Sequence, residues 1–164
     1  MAGAFTFKVK VSGADEVIRA LDKLPKDAQD AMRHQAKDIA TSLADWIKIS
    51  GRRAGGAQGA RAASTVREAN VGFWPAITAS NTGRARGRKP SKKGGGVLLS
   101  SVFGQKQHSG WYGKPRYFRS SGRQYRPYIG YPGYWFFKDA EDRQPWIESE
   151  WHGAADEVVR KWSA

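Results

Sequence analysis

Six cations crowd into ten residues at Arg84, Arg86, Arg88, Lys89, Lys92 and Lys93. Side chains of this kind neutralise phosphates and release the counterions condensed on DNA or RNA, whatever the base sequence. The same run could equally be a solvated loop, or an arm that orders against an acidic protein neighbour. A second constellation is aromatic: Trp111, Tyr112, Tyr117, Phe118, Tyr125, Tyr128 and Tyr131 lead into Tyr134-Trp135-Phe136-Phe137, interleaved with Lys114, Arg116, Arg119, Arg123 and Arg126. Aromatic faces beside cations stack bases in single-strand binders. They also anchor subunit interfaces, where Tyr, Trp and Arg supply rigid area with a polar handle. The run matches no single-strand-binding motif, so the interface reading is preferred, with plain core or loop packing as the third choice.

Catalytic chemistry finds little to work with. His34, His108 and His152 are scattered, with no His-x-x-x-His pair and no repeated carboxylate partner at metal-ligand spacing. His34 follows Arg33 in a helical pattern and reads as a surface residue. His108, beside Ser109, could serve as a general base in RNA cleavage, but nothing nearby in the sequence positions it. Asp139, Glu141, Asp142, Glu148 and Glu150 read as helix-start and solvent-face acids. Gly94-Gly95-Gly96 lacks the Gly-Lys-Ser/Thr order of a phosphate loop, because Lys92-Lys93 precede the glycines and Val97 follows them. The absence of cysteine excludes disulfides, Cys-ligated zinc and a thiol nucleophile. No catalytic, cofactor or metal site is expected.

The charge is segregated along the chain. Residues 1–51 carry 8 Lys/Arg against 7 Asp/Glu, residues 52–138 carry 17 against the single acid Glu68, and residues 139–164 carry 3 against 7. A positive field so concentrated points to an anionic polymer or an acidic protein surface as partner. The opening Met1-Ala2-Gly3-Ala4-Phe5 lacks the charged and then apolar stretch of a signal peptide, and no apolar run is long enough to span a bilayer, so a soluble chain in an intracellular assembly is expected.

The elements that would position these groups follow from periodicity. At 164 residues the chain is expected to form a single domain. Phe5, Phe7, Val9 and Val11 alternate with Thr6, Lys8 and Lys10, the period of a strand with one buried face. Asp15 is placed to cap a short helix whose apolar face is Val17, Ile18, Leu21 and Leu24, closed by Pro25. A long helix is predicted from about residue 26 to 49, with Ala28, Met32, Gln35, Ile39, Leu43, Trp46 and Ile47 on one face. Residues 51–59 read as a glycine break, 65–71 and 73–79 as two strands, and 81–96 as a mobile basic loop with too little apolar area to order itself. Val97 to Phe103 is apolar enough to return to the sheet. Residues 105–137 form an aromatic-rich insertion that resists assignment, apart from a possible short helix at its end over 134–142. The last element is a helix entered through Pro145, with Ile147, Trp151, Ala154, Ala155, Val158 and Trp162 inward. The predicted class is α+β: a small, mostly antiparallel sheet packed against a long helix and a C-terminal helix, with long basic loops.

That order of elements, with Gly13-x-x-x-Val17-x-x-x-Leu21-x-x-Leu24-Pro25, resembles the neck or tail-completion proteins of long-tailed, lambda-like bacteriophages, the family that joins tail to head. Phe103-Gly104 is similar to the Phe-Gly that ends a central strand in such proteins. Gln144-Pro145-Trp146-Ile147 stands where they commonly have Arg-Pro-Phe-Leu before the final helix. The resemblance implies a hexameric ring at the top of the tail tube, in the virion after assembly in the host cytoplasm. It further implies contacts to tail terminator and head connector or stopper proteins, non-specific contact with packaged DNA, and no enzymatic activity. The 105–137 segment is longer and more aromatic than the family's usual connection, and the 84–93 run is more charged. A neighbouring position, tail terminator or minor tail protein, therefore stays open, as do a basic nucleic-acid-binding protein and a small basic RNase.

Overall fold

The computed structural model describes residues 4–80, 97–106 and 125–163, with the side chains of Ala4 and Phe5 left aside. The expected basic loop at 81–96, and Trp111, Tyr112, Tyr117 and Phe118 in the aromatic run, lie outside the described residues. The described chain is α+β, as its periodicities predict: a three-stranded antiparallel sheet and six α-helices.

The sheet has β1 (Ala4–Lys8) and β2 (Arg67–Val71) on either side of β3 (Trp74–Ser80). Phe7 and Glu68 both stand opposite Ile77, while Lys8 and Ala69 stand opposite Ala76. Opposed residues share a face, so the Phe7 side turns inward, where Ile77 is fully buried and Phe7 meets the rings of Phe136 and Phe137 edge-on. The other side carries exposed Thr6 and Lys8. Beyond β1 the inward alternation continues through buried Val9 and Val11, although only the Val9 amide reaches the sheet, donating to Pro75 O at 3.0 Å.

Helix α1 (Ala14–Leu21) begins two residues earlier than Asp15 capping requires. Gly13, in the left-handed region at φ 71°, stands at the cap position, and no side chain caps the helix. Asp15 and Glu16 instead lie in the first turn, where their charge complements the helix dipole. Leu21 is fully buried, and Leu24-Pro25 separates α1 from α2 (Lys26–Ala54). The long helix spans about 43 Å at 1.5 Å per residue. Its buried stripe includes Ala28, Met32, Ala36, Ile39, Leu43 and Ile47, whereas Gln35 is exposed. Ala36, four residues from Met32, falls on the stripe that Gln35 was expected to share.

The glycine break also needs correction. Helix α2 runs through Gly51, followed by a 3-10 turn at Gly56–Gln58 and a short helix α3 (Gly59–Ala63). Gly51 is there for close packing: a Cβ would sit 2.6 Å from Trp135 Cζ3 and 2.8 Å from Ala63 Cβ. Residues 97–103, expected as a strand, form helix α4 (Val97–Phe103). Leu98, Ser101 and Val102 are its buried residues, an i, i+3, i+4 stripe that a strand would scatter over two faces. The apolar content was read correctly, but so short a run does not distinguish the two periods.

Helix α5 (Phe136–Asp142) and helix α6 (Gln144–Trp162) close the fold. Pro145 lies in the first turn of α6, where its missing amide costs nothing. Ile147, Trp151, Ala155 and Val158 are buried, with Ala154 and Trp162 half-buried. Trp151 Nε1 donates to Phe73 O at 2.7 Å, tying α6 to the β2–β3 turn. Near the same end of β3, beyond the Val9 amide that bonds Pro75 O, Ser12 Oγ donates to Glu148 Oε1 at 2.8 Å and Gln144 Nε2 to the same oxygen at 2.9 Å. The core therefore lies between the sheet, α2 and α6, with α5 against α2.

Candidate functional site

Of the residues singled out as partner contacts, the described ones are Tyr125, Tyr128 and Tyr131. They belong to a strap, residues 125–134, that runs beside the end of α4. Its position is fixed by backbone pairing: Gln105 N donates to Arg126 O at 2.8 Å, Ile129 N to Phe103 O at 3.0 Å, and Tyr134 N to Val102 O at 2.6 Å. Gly104, at φ 77°, makes this close approach feasible, since a Cβ there would lie 2.1 Å from Pro127 O. Tyr134 Oη donates to Pro127 O at 2.8 Å and closes the strap on itself. The Phe103-Gly104 pair thus ends a helix and seats a strap; it does not end a central strand as the resemblance leads one to expect.

So held, the strap presents its large side chains outward. Tyr128, Ile129 and Tyr131 are 53%, 52% and 67% exposed, among the few large hydrophobic side chains that the described fold leaves in solvent. Tyr125 is half-buried. Cations accompany the rings: Lys106 Nζ lies 5.6 Å from the Tyr128 ring centre and the Arg126 guanidinium 4.9 Å from that of Tyr134. Tyr131 packs on Phe137, 5.6 Å between centres, and donates its hydroxyl to Glu141, which raises the phenol pKa above its ordinary value. Phe103 stacks on Phe137 beneath. The inner half of the aromatic run has another role: Trp135 and Phe136 are fully buried and serve the core.

The histidines and acids take ordinary places. His34 is exposed and pairs with Asp38, as a surface helix residue should. His152 bonds Ser12 O through Nε2 at 2.8 Å. Gln144 and Ser12 hydrogen bonds hold the Glu148 carboxyl below the usual carboxylate range, while burial raises that of Asp139 against the opposing Ser50 bond. His108 lies outside the described residues, as do Arg84, Arg86, Arg88, Lys89, Lys92 and Lys93. Among the described residues, no group of three or more His, Asp or Glu is placed to hold a metal ion, and no helix is long and apolar enough to cross a membrane.

On the opposite flank of α5 lies a feature that sequence reading missed. Trp46 of α2 and Trp146 of α6, both half-buried, meet edge-on with centres 4.4 Å apart, and the Arg143 guanidinium sits 4.2 Å over Trp46. Trp46 was assigned to the core. Its separation by 100 positions from Trp146 leaves no local signal of the pair. Comparison with family models, with curated proteins and with solved structures gives no match.

Proposed function

We propose that this protein is a non-enzymatic structural protein of the phage neck or upper tail, acting in a ring that joins the tail tube to the head connector. The observation that carries the reading is the landmark series Gly13, Val17, Leu21, Leu24-Pro25 set on a strand, short helix and long helix, with the terminal helix entered through Pro145. Phe103-Gly104 gives it no support, because it closes α4. The rigid, exposed, cation-flanked strap supports the assembly part of the reading, since Tyr and Arg are the side chains that anchor interfaces. In this role the cations at 84–93 dock an acidic protein neighbour, and contact with packaged DNA is non-specific.

The second reading is a basic nucleic-acid-binding protein, favoured by the 17 Lys/Arg against one acid in residues 52–138. One experiment separates the two: replacing Arg84, Arg86, Arg88, Lys89, Lys92 and Lys93 by Ser. On the structural reading the variant loses tail attachment, and DNA affinity is weak at physiological salt in both proteins. A parent that grips DNA, with a log–log salt slope near about −5 for six phosphate contacts that the variant flattens, would transfer the protein to the second class.

A further inference from the structure

The open end of the β2–β3 hairpin carries a feature that neither the strap nor the basic run accounts for. A cleft of about 210 Å³ lies there, lined by Ser64, Thr65, Arg67, Thr78, Ala79 and Ser80. Its walls hold four hydroxyls, one guanidinium and, among the described residues, no carboxylate. The sequence gives no hint of it, because the turn after α3 and the far end of β3 meet only in the fold.

Thr65 joins the two walls. Its Oγ1 donates to Ala62 O at 2.8 Å and accepts from the Ser80 amide at 3.3 Å, which fixes the turn against the end of β3. Arg67 and Thr6 both stand opposite Thr78, so the three share one face of the sheet. Glu68, the only acid between residues 52 and 138, stands opposite Ile77 and belongs to the other face. Arg67 is exposed and joins no ion pair among the described residues. Lys8, on the same face, has its Nζ 4.4 Å from the Trp74 ring centre instead. The Arg67 guanidinium is therefore the uncompensated charge of the cleft.

A cation beside hydroxyls calls for an anion with several acceptor oxygens. Size narrows the class: drug-sized ligands fill roughly 300–1,000 Å³, so this cleft holds a small group and not a whole nucleoside. A planar carboxylate offers two oxygens, which the guanidinium fork satisfies alone. A phosphate offers more, in tetrahedral directions, and so also engages hydroxyls on both walls. Ser64, exposed at the rim, reaches such a ligand by rotating its hydroxyl away from Arg61 O.

We infer that the cleft is a phosphate-binding site, with Arg67 gripping two oxygens and the hydroxyls of Ser64, Thr78 and Ser80 lining the remainder. The phosphate is either free or part of a nucleic-acid backbone. The lining residues are distinct from the cations at 84–93, and the site stands whether or not the chain joins tail to head.

The test is an NMR titration of isotope-labelled protein with sodium phosphate, ionic strength being held constant with sodium chloride. The amides of Ser64, Thr65, Arg67 and Ser80 should shift together and saturate in the millimolar range, while acetate should bind more than about tenfold more weakly. Arg67→Gln should weaken phosphate binding by more than about tenfold, because hydrogen bonds to a charged group are the strong ones. Arg67→Lys keeps the charge without the fork and should fall between Gln and the parent. Far-UV circular dichroism establishes that each variant is folded, and Arg67→Lys decides the matter where Arg67→Gln is not. A short DNA duplex at equal phosphate concentration identifies the source. The same shifts, removed by Arg67→Gln, assign a nucleic-acid backbone; a response to phosphate alone assigns the free ion or a phosphomonoester. No saturable shift with phosphate, equal binding of acetate, or binding unchanged in the folded variants would each overturn the inference.

Discussion

Gly51 is a residue whose meaning depends on its neighbours in space. Among glycines and arginines it looks like the end of a helix, yet it lies in the last turns of α2 with the Trp135 ring against its Cα. Gly51→Ala should destabilise the fold by about 1 to 3 kcal/mol through overpacking, read by denaturant titration, although alanine is the better helix former. A variant as stable as the parent would mean that the ring is not seated there. Ser101 makes a similar case. Its hydroxyl donates to Gly55 O at 2.7 Å and accepts from Trp135 Nε1 at 3.3 Å. Glu148 gives a pH prediction whose sign follows from the direction of its shift. Because its folded pKa is lowered, its contribution is present at neutral pH and is lost as pH falls through that lowered value. Glu148→Gln should therefore lower the melting temperature at neutral pH and converge with the parent in acid; a constant gap across the range would contradict the assignment. None of these pairings was readable beforehand, because Ser12 and Glu148, or Ser101 and Gly55, are joined by the fold and not by sequence spacing.

At the scale of elements, legibility followed period and length. Helix α6 was readable from end to end, since Pro145 marks its entry and Ile147, Trp151, Ala155 and Val158 repeat at helical intervals. Val158→Asp would put an uncompensated charge into that face and should cost several kcal/mol, seen as a large drop in melting temperature. A melt within a degree or two of the parent would show the helix undocked. Strands β2 and β3 were readable because a turn separates two β-rich runs. Helix α4 was not: in seven residues, Val97 to Phe103, apolar content outweighs periodicity, and only the buried triplet Leu98, Ser101 and Val102 reveals the helix. The strap was the hardest element, for it has no repeating hydrogen-bond pattern and owes its course to Gly104, to the bonds that the Ile129 and Tyr134 amides donate to Phe103 O and Val102 O, and to the Tyr134 hydroxyl.

For the whole molecule, charge segregation and exposed aromatics are the features that support the assembly proposed above. Exposed Glu150 and Glu157 lie on α6, while Lys106 and Arg126 stand beside the strap rings of Tyr128 and Tyr134. The candidate site was only partly legible: the strap tyrosines could be named from their run of aromatics and cations, while the Trp46–Trp146 surface required α2 and α6 to be brought side by side. The central claim, that the chain works as a ring joining tail to head, is tested most directly by electron microscopy of the purified protein alone and with tail tubes of its own phage. The account predicts closed rings, seated at one end of the tubes. Only monomers in both preparations, with bare tube ends, would contradict it.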